Sequence, residues 1–154
     1  MRKVIVSIFI ASAALVMFSC RSSKEALSLS SMNGEWNIIE INGSAVVPGQ
    51  GQQLPFIGFD TTTGKVYGYS GCNRIIGSVD VNAKPGTIDL GALGSTRMAC
   101  PDMTLEQNVL GALAQVKGYK KMGKENMALC NASNRPVVIL AKKAADVKVA
   151  DLQG

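Results

Sequence analysis

Apolar side chains come in short bursts along this chain, most of them cut off by glycine, asparagine or proline, and that rhythm predicts strands and tight turns. "GEWNIIEING" reads as a strand from Glu35 to Ile41 stopped by the turn pair Asn42-Gly43. Trp36, the sole tryptophan, is expected to anchor this strand in the core, with ligand stacking as the sharper alternative. Val46 to Gln53 is rich in Gly, Gln and Pro and reads as a loop. "PFIGFD" and "KVYGYSGCN" then flank Thr61 to Gly64, a hairpin composition. In the second run Val66, Gly68 and Ser70 share one face and Tyr67, Tyr69 and Gly71 the other, and the interior glycines suggest strong curvature or close backbone approach. "IIGSVDV" and "GTIDLGAL", separated by Asn82 to Gly86, read as a further hairpin.

One stretch changes period. Leu105, Val109, Ala112, Leu113 and Val116 fall on one face of a helix, with Thr104 and Gln107 at capping-box spacing, Asp102 at its positive end and Gly118 placed to stop it. "YKKM", "NMALCN" and "RPVVILAK" follow as strands. The expected fold is mainly β: a small antiparallel barrel-like sheet with one α-helix packed against it.

The N-terminus breaks the rhythm differently. Arg2 and Lys3 precede an uncharged apolar run from Val4 to Phe18, the layout of a secretory signal peptide and short for a bilayer span. Met17-Phe18-Ser19-Cys20 resembles the bacterial lipobox, although Met17 and Phe18 depart from its strict form. This reading makes residues 1–19 a signal peptide, Cys20 the lipid attachment site and 20–32 a serine-rich tether. Residues 33–142 form the domain, and 143–154 a tail or a short extra strand. Two cations of the formal +5 belong to the leader, so the remaining excess is small. The cluster Lys117, Lys120, Lys121 and Lys124 reads as a solvated turn, and no nucleic-acid partner is expected.

The chain contains no histidine, which excludes Ser-His-Asp and Cys-His mechanisms within it and any zinc site that needs imidazole. No catalytic residues, cofactor or metal are expected; two carboxylates brought together by folding, such as Glu35 and Asp60, remain the enzyme alternative. With Cys20 taken by lipid, Cys72, Cys100 and Cys130 are left, none in a CxxC pair. Outside the cytoplasm the expected bridge is Cys72–Cys100, with two buried thiols as its rival and a reactive Cys100 near the helix start as the functional alternative. Cys130 is expected to pack as a small apolar group.

"GCNRIIG" from Gly71 to Gly77, "LGSTRMACPD" from Leu93, and the acidic Glu106 early in the helix resemble the two signature segments of the META domain, also called the HslJ family. The likeness covers about Gly34 to Leu140, and the pattern falls on Gly71, Cys72, Asn73, Gly77, Thr96, Arg97, Met98 and Cys100. It implies a compact barrel-like domain, often lipid-anchored in bacterial envelopes, with links to heat stress and novobiocin resistance and no established catalysis. Read from their chemistry, Asn73 suits a tight turn, while Arg97 could pair with Asp102 or Glu106 or serve a ligand. Asp60-Thr61-Thr62 more weakly resembles the O-glycosylation acceptor of Bacteroidetes envelope proteins, with Thr61 as the modified residue; a threonine-rich hairpin turn is the preferred reading of the same residues.

These readings lead to a monomeric, non-enzymatic envelope lipoprotein, held to the membrane by its N-terminal lipid. It would sit on the outer membrane facing the periplasm and act in stress tolerance or envelope integrity through an unidentified envelope protein. One rival is a small-molecule-binding barrel lined by Trp36, Tyr67 and Tyr69 with Arg97 as anchor; another is an inhibitor or chaperone-like partner of an envelope protease.

Overall fold

The computed structural model describes residues 27–144. The expected signal peptide, Cys20, most of the tether and the tail beyond Ala144 lie outside the described residues. Packed structure begins upstream of residue 33, because a short 3₁₀ helix at Leu29–Met32 buries Leu29 and Met32 in the core. Trp36 is buried as expected, and its indole Nε1 donates to the Met32 carbonyl at 2.8 Å, which ties this helix to the first strand.

The strands are β1 (Gly34–Ile41), β2 (Ser44–Ala45), β3 (Phe56–Asp60), β4 (Lys65–Tyr69), β5 (Arg74–Ser78), β6 (Gly94–Ser95), β7 (Gly118–Met122), β8 (Asn126–Cys130) and β9 (Pro136–Lys142). Among the described residues a single α-helix, α1 (Thr104–Leu113), lies between β6 and β7 in the chain. All pairings are antiparallel, in the order β6-β5-β4-β3-β1-β9-β8-β7, with β2 also on β1. The sheet curls like a barrel but does not close, leaving β6 and β7 as its edges.

Its concave side is filled by side chains such as Ile38, Ile57, Phe59, Leu129 and Leu140, and α1 inserts Val109, Ala112 and Leu113 into the same cluster. A bulge in β1 makes this filling continuous. Ile38 faces Leu140 and Glu40 faces Ile139, so Ile39 is the extra residue and both Ile38 and Ile41 turn inward. Ile39 turns outward to a small second cluster of Ala128, Cys130 and Ile139.

Several sequence expectations change. "GTIDLGAL" forms no hairpin with "IIGSVDV"; β5 pairs with β6 instead, and Thr87 bridges Gly118 at the far edge. Ile88 and Leu90 are still buried, so the alternation marks inward-facing residues, but the chain crosses the gap between the sheet edges. The helix ends at Leu113, ahead of Gly118, which opens β7. Thr104 makes no capping box; the Asp102 carboxylate accepts the Thr104 backbone N–H at 2.8 Å, a bond that holds its carboxyl below the usual range.

The strand glycines have a steric reason. A Cβ on Gly68 would meet the Phe56 carbonyl oxygen at 2.2 Å and the Ile57 Cα at 3.0 Å, both backbone atoms. Gly111 in α1 has nothing within 4 Å of such a Cβ. Gly68→Ala is therefore expected to destabilise by about 2 kcal/mol or more. Gly111→Ala is expected to stabilise by about 0.5–1 kcal/mol through helix propensity. Urea melts of both variants check the pair; equal midpoints would contradict the packing shown.

Candidate functional site

The two motif segments meet around one buried amide. Asn73 follows the β4–β5 turn, where Gly71 adopts φ +115°, and it is 1 % exposed. Its Oδ1 accepts the Met98 backbone N–H at 2.7 Å and the Thr96 hydroxyl at 2.9 Å. Its Nδ2 donates to the Glu106 carboxylate at 2.9 and 3.1 Å and to the Met98 carbonyl at 3.2 Å. Thr96 Oγ1 in turn accepts the Arg74 backbone N–H at 3.1 Å. Every hydrogen-bonding position of the amide is used.

Glu106, one of the two carboxylates that the sequence offers to Arg97, takes a different partner. It lies in the first turn of α1 and is 5 % exposed, bonded to Asn73 rather than to Arg97. The signal was present: Glu106, Val109 and Leu113 have the spacing of one helix face, so this carboxylate sits on the buried side. The positive end of the helix favours a negative group there.

Beside this amide lies the Cys72–Cys100 disulfide, with a Cα–Cα distance of 6.1 Å, as the sequence suggested. It leaves no thiolate on Cys100. Closing a loop of this length stabilises by about 3–4 kcal/mol on a chain-entropy basis. Cys130 is a free, buried cysteine in the outer cluster, remote in the fold from this bridge.

The loop from Thr96 to Cys100 is thus held at both ends, while Arg97 and Met98 project. Arg97 is exposed and forms no ion pair; among the described residues the salt bridges are Lys117–Asp89 and Lys143–Glu35. Its expected pairing with Asp102 or Glu106 is therefore not formed. Met98 is 59 % exposed and borders a groove of about 380 Å³ with Phe56, Tyr67, Tyr69, Arg74 and Ile76. Gly77, the remaining motif position, leaves room for the Leu93 side chain, which a Cβ would meet at 2.6 Å.

Tyr67 and Tyr69 stand on the convex face and Trp36 on the concave one, so the three do not line a common site. The Tyr67 ring lies over Gly58, where a Cβ would meet it at 2.5 Å. Partial burial, followed by the charge and hydrogen bond of Glu35, pushes its phenol up. Lys143 completes this row, 2.9 Å from Glu35 and 4.1 Å from the Phe56 ring centroid. Glu35 is thus engaged with Lys143 and Tyr67, not with Asp60, whose carboxylate accepts the Thr62 and Thr63 backbone N–H groups. Thr61 belongs to the same turn and donates its N–H and hydroxyl to Asn33 Oδ1 at 3.1 and 3.2 Å.

Two measurements test this geometry. Asn73→Ala is expected to cost about 2–4 kcal/mol in urea melts with the disulfide intact, because it strands the Glu106 carboxylate and the Met98 backbone without partners. Burial pushes the Cys130 thiol up. The unfolded thiol ionises first as pH rises, so stability should fall with alkaline pH above the ordinary thiol range. A Cys130→Ala variant should lose that part of the slope, and native wild type should resist alkylation until denatured.

Comparison with known proteins places the domain in a family and a fold. The profile of the META domain matches residues 27–144. A protein from Burkholderia xenovorans solved by NMR has 24 % identity, with 75 % of this chain and 86 % of that one covered and a TM-score of 0.57. A second NMR structure has 20 % identity, coverage of 80 % and 94 %, and a TM-score of 0.52. A DUF4847 family protein from Bacteroides vulgatus has 16 % identity, coverage of 75 % and 96 %, and a TM-score of 0.49. No curated protein matches the chain. The first two structures share its fold, and the family match extends over the whole described domain, including both segments that converge on Asn73. The chain belongs to the META domain family.

Proposed function

We propose that this META domain protein is a non-enzymatic lipoprotein of the cell envelope, anchored through Cys20. It acts in stress tolerance or envelope integrity by holding another envelope protein. The observation that carries the reading is the division of labour within the motif. Asn73, Glu106, Cys72 and Cys100 are consumed in building the loop, whereas Met98 is held out at the border of an aromatic groove and its chain neighbour Arg97 is left exposed. The solvent-facing Met98 and Arg74 next to Tyr67 and Tyr69, with Arg97 following along the loop, have the composition of a protein-binding anchor. The loop is already ordered, so binding requires little further loss of conformational freedom. The concave side supports this over a small-molecule barrel, because core side chains occupy it.

The test joins location to contact. Intact mass of the protein from its native envelope should show an acylated chain beginning at Cys20. A photoreactive residue at Met98 should give a discrete adduct with one envelope protein, lost on Arg97→Glu, and Arg97→Glu should fail to restore heat or detergent tolerance to a strain lacking the gene. A folded Arg97→Glu protein that restores tolerance in full would overturn the contact reading.

A further inference from the structure

A second surface lies on the β7–β8–β9 side of the sheet. Leu27, Ser31, Trp36, Met127, Lys142 and Ala144 line an open groove of about 540 Å³, closed on one side by the β7–β8 turn with Lys121, Lys124 and Glu125. Its floor is apolar and its rim carries three lysines and one glutamate. Lys121 and Lys124 are exposed and make no side-chain hydrogen bond or ion pair in the described structure. Lys142 bends over the Trp36 ring, 4.3 Å from its centroid, and donates to the Asn33 carbonyl. Neither the groove nor these lysines take part in the Asn73 cluster.

We infer that this groove rests on the surface of an anionic phospholipid bilayer and orients the domain on it. Two observations point to that occupant. Charge is the first: an apolar floor ringed by exposed lysines is complementary to a layer of anionic headgroups above acyl chains. The second is chain length. Leu27 lines the groove and stands only seven residues after Cys20, so even a fully extended chain spans at most about 25 Å between them. The inference rests on the lipid-anchor reading for the membrane being near, and on the groove's own chemistry for the contact.

The strand order sets the consequence. The groove is built on β1, β9, β8 and β7, whereas Asn73 and the Met98 loop adjoin β4, β5 and β6 on the other side of the strand order. A domain seated on the membrane through the groove leaves Arg97 and Met98 outside the contact, since neither lines it.

The experiment uses the full mature chain with Cys20→Ser, which removes the lipid and leaves the fold's own contribution. Co-sedimentation at low salt with vesicles of phosphatidylethanolamine and phosphatidylglycerol is expected to exceed that with phosphatidylcholine and to fall with added salt. Brominated acyl chains should quench Trp36, the only tryptophan. The double variant Lys121→Glu/Lys124→Glu should weaken binding about tenfold or more, whereas Arg97→Glu leaves it unchanged, with unaltered circular dichroism in both. Equal binding to neutral vesicles, unquenched Trp36 or an unaffected double variant would overturn the inference, as would a groove that takes a protein and ignores vesicles. Absence of lipid on Cys20 in the intact-mass measurement would sink the anchor alone, since the vesicle result does not depend on it.

Discussion

Asn73 is a single amide, yet three separate segments take their position from it. Its oxygen holds the backbone of Met98 and the hydroxyl of Thr96, and its nitrogen holds Glu106 on α1. Its own carbonyl accepts the Ser70 backbone N–H and hydroxyl, both at 2.9 Å, which shapes the turn from which it projects. A buried amide without partners is costly, so the strand turn, the loop and the helix must arrive together. The disulfide beside it joins the same turn to the same loop by a covalent route.

This constraint accounts for a buried carboxylate in a domain with few charges. Among the described residues Glu106 forms no salt bridge; an amide N–H and the start of a helix serve instead. It also explains why Arg97 is left over. The carboxylate that sequence reasoning offered to the guanidinium is turned inward, and Asp102 is engaged with the helix backbone. What the motif exposes is therefore as consistent a product of the geometry as what it buries.

The sheet supplies the setting by a different physical means. Close approach at Gly68, the bulge at Ile39 and Tyr67 lying across Gly58 bend and cover an antiparallel sheet whose concave side is filled by one apolar cluster. Because side chains alternate across each strand, the same residues that build the core leave Tyr67, Tyr69 and Ile76 on the convex face. One strand pattern thus separates the packed interior from the aromatic groove.

Much of this was legible beforehand. The period-two runs around Trp36, Val66 and Leu129, the Asn42-Gly43 turn and the helical spacing of Val109, Ala112 and Leu113 are local signals, and local backbone preference with burial is enough to read them. The Cys72–Cys100 bridge was the favoured pairing among the three cysteines that remain after Cys20, with buried thiols as its rival, and the structure forms it. The fate of "GTIDLGAL" was not readable, because its alternation shows which side chains face inward and says nothing of which sheet edge receives the backbone. Nor could Asn73 and Glu106, 33 residues apart, be joined from spacing, since a hydrogen bond between distant segments depends on where the helix docks. The sequence by itself determined strands, helix and core because these arise from neighbours along the chain; only the tertiary structure decided which polar groups were buried together and which were left exposed.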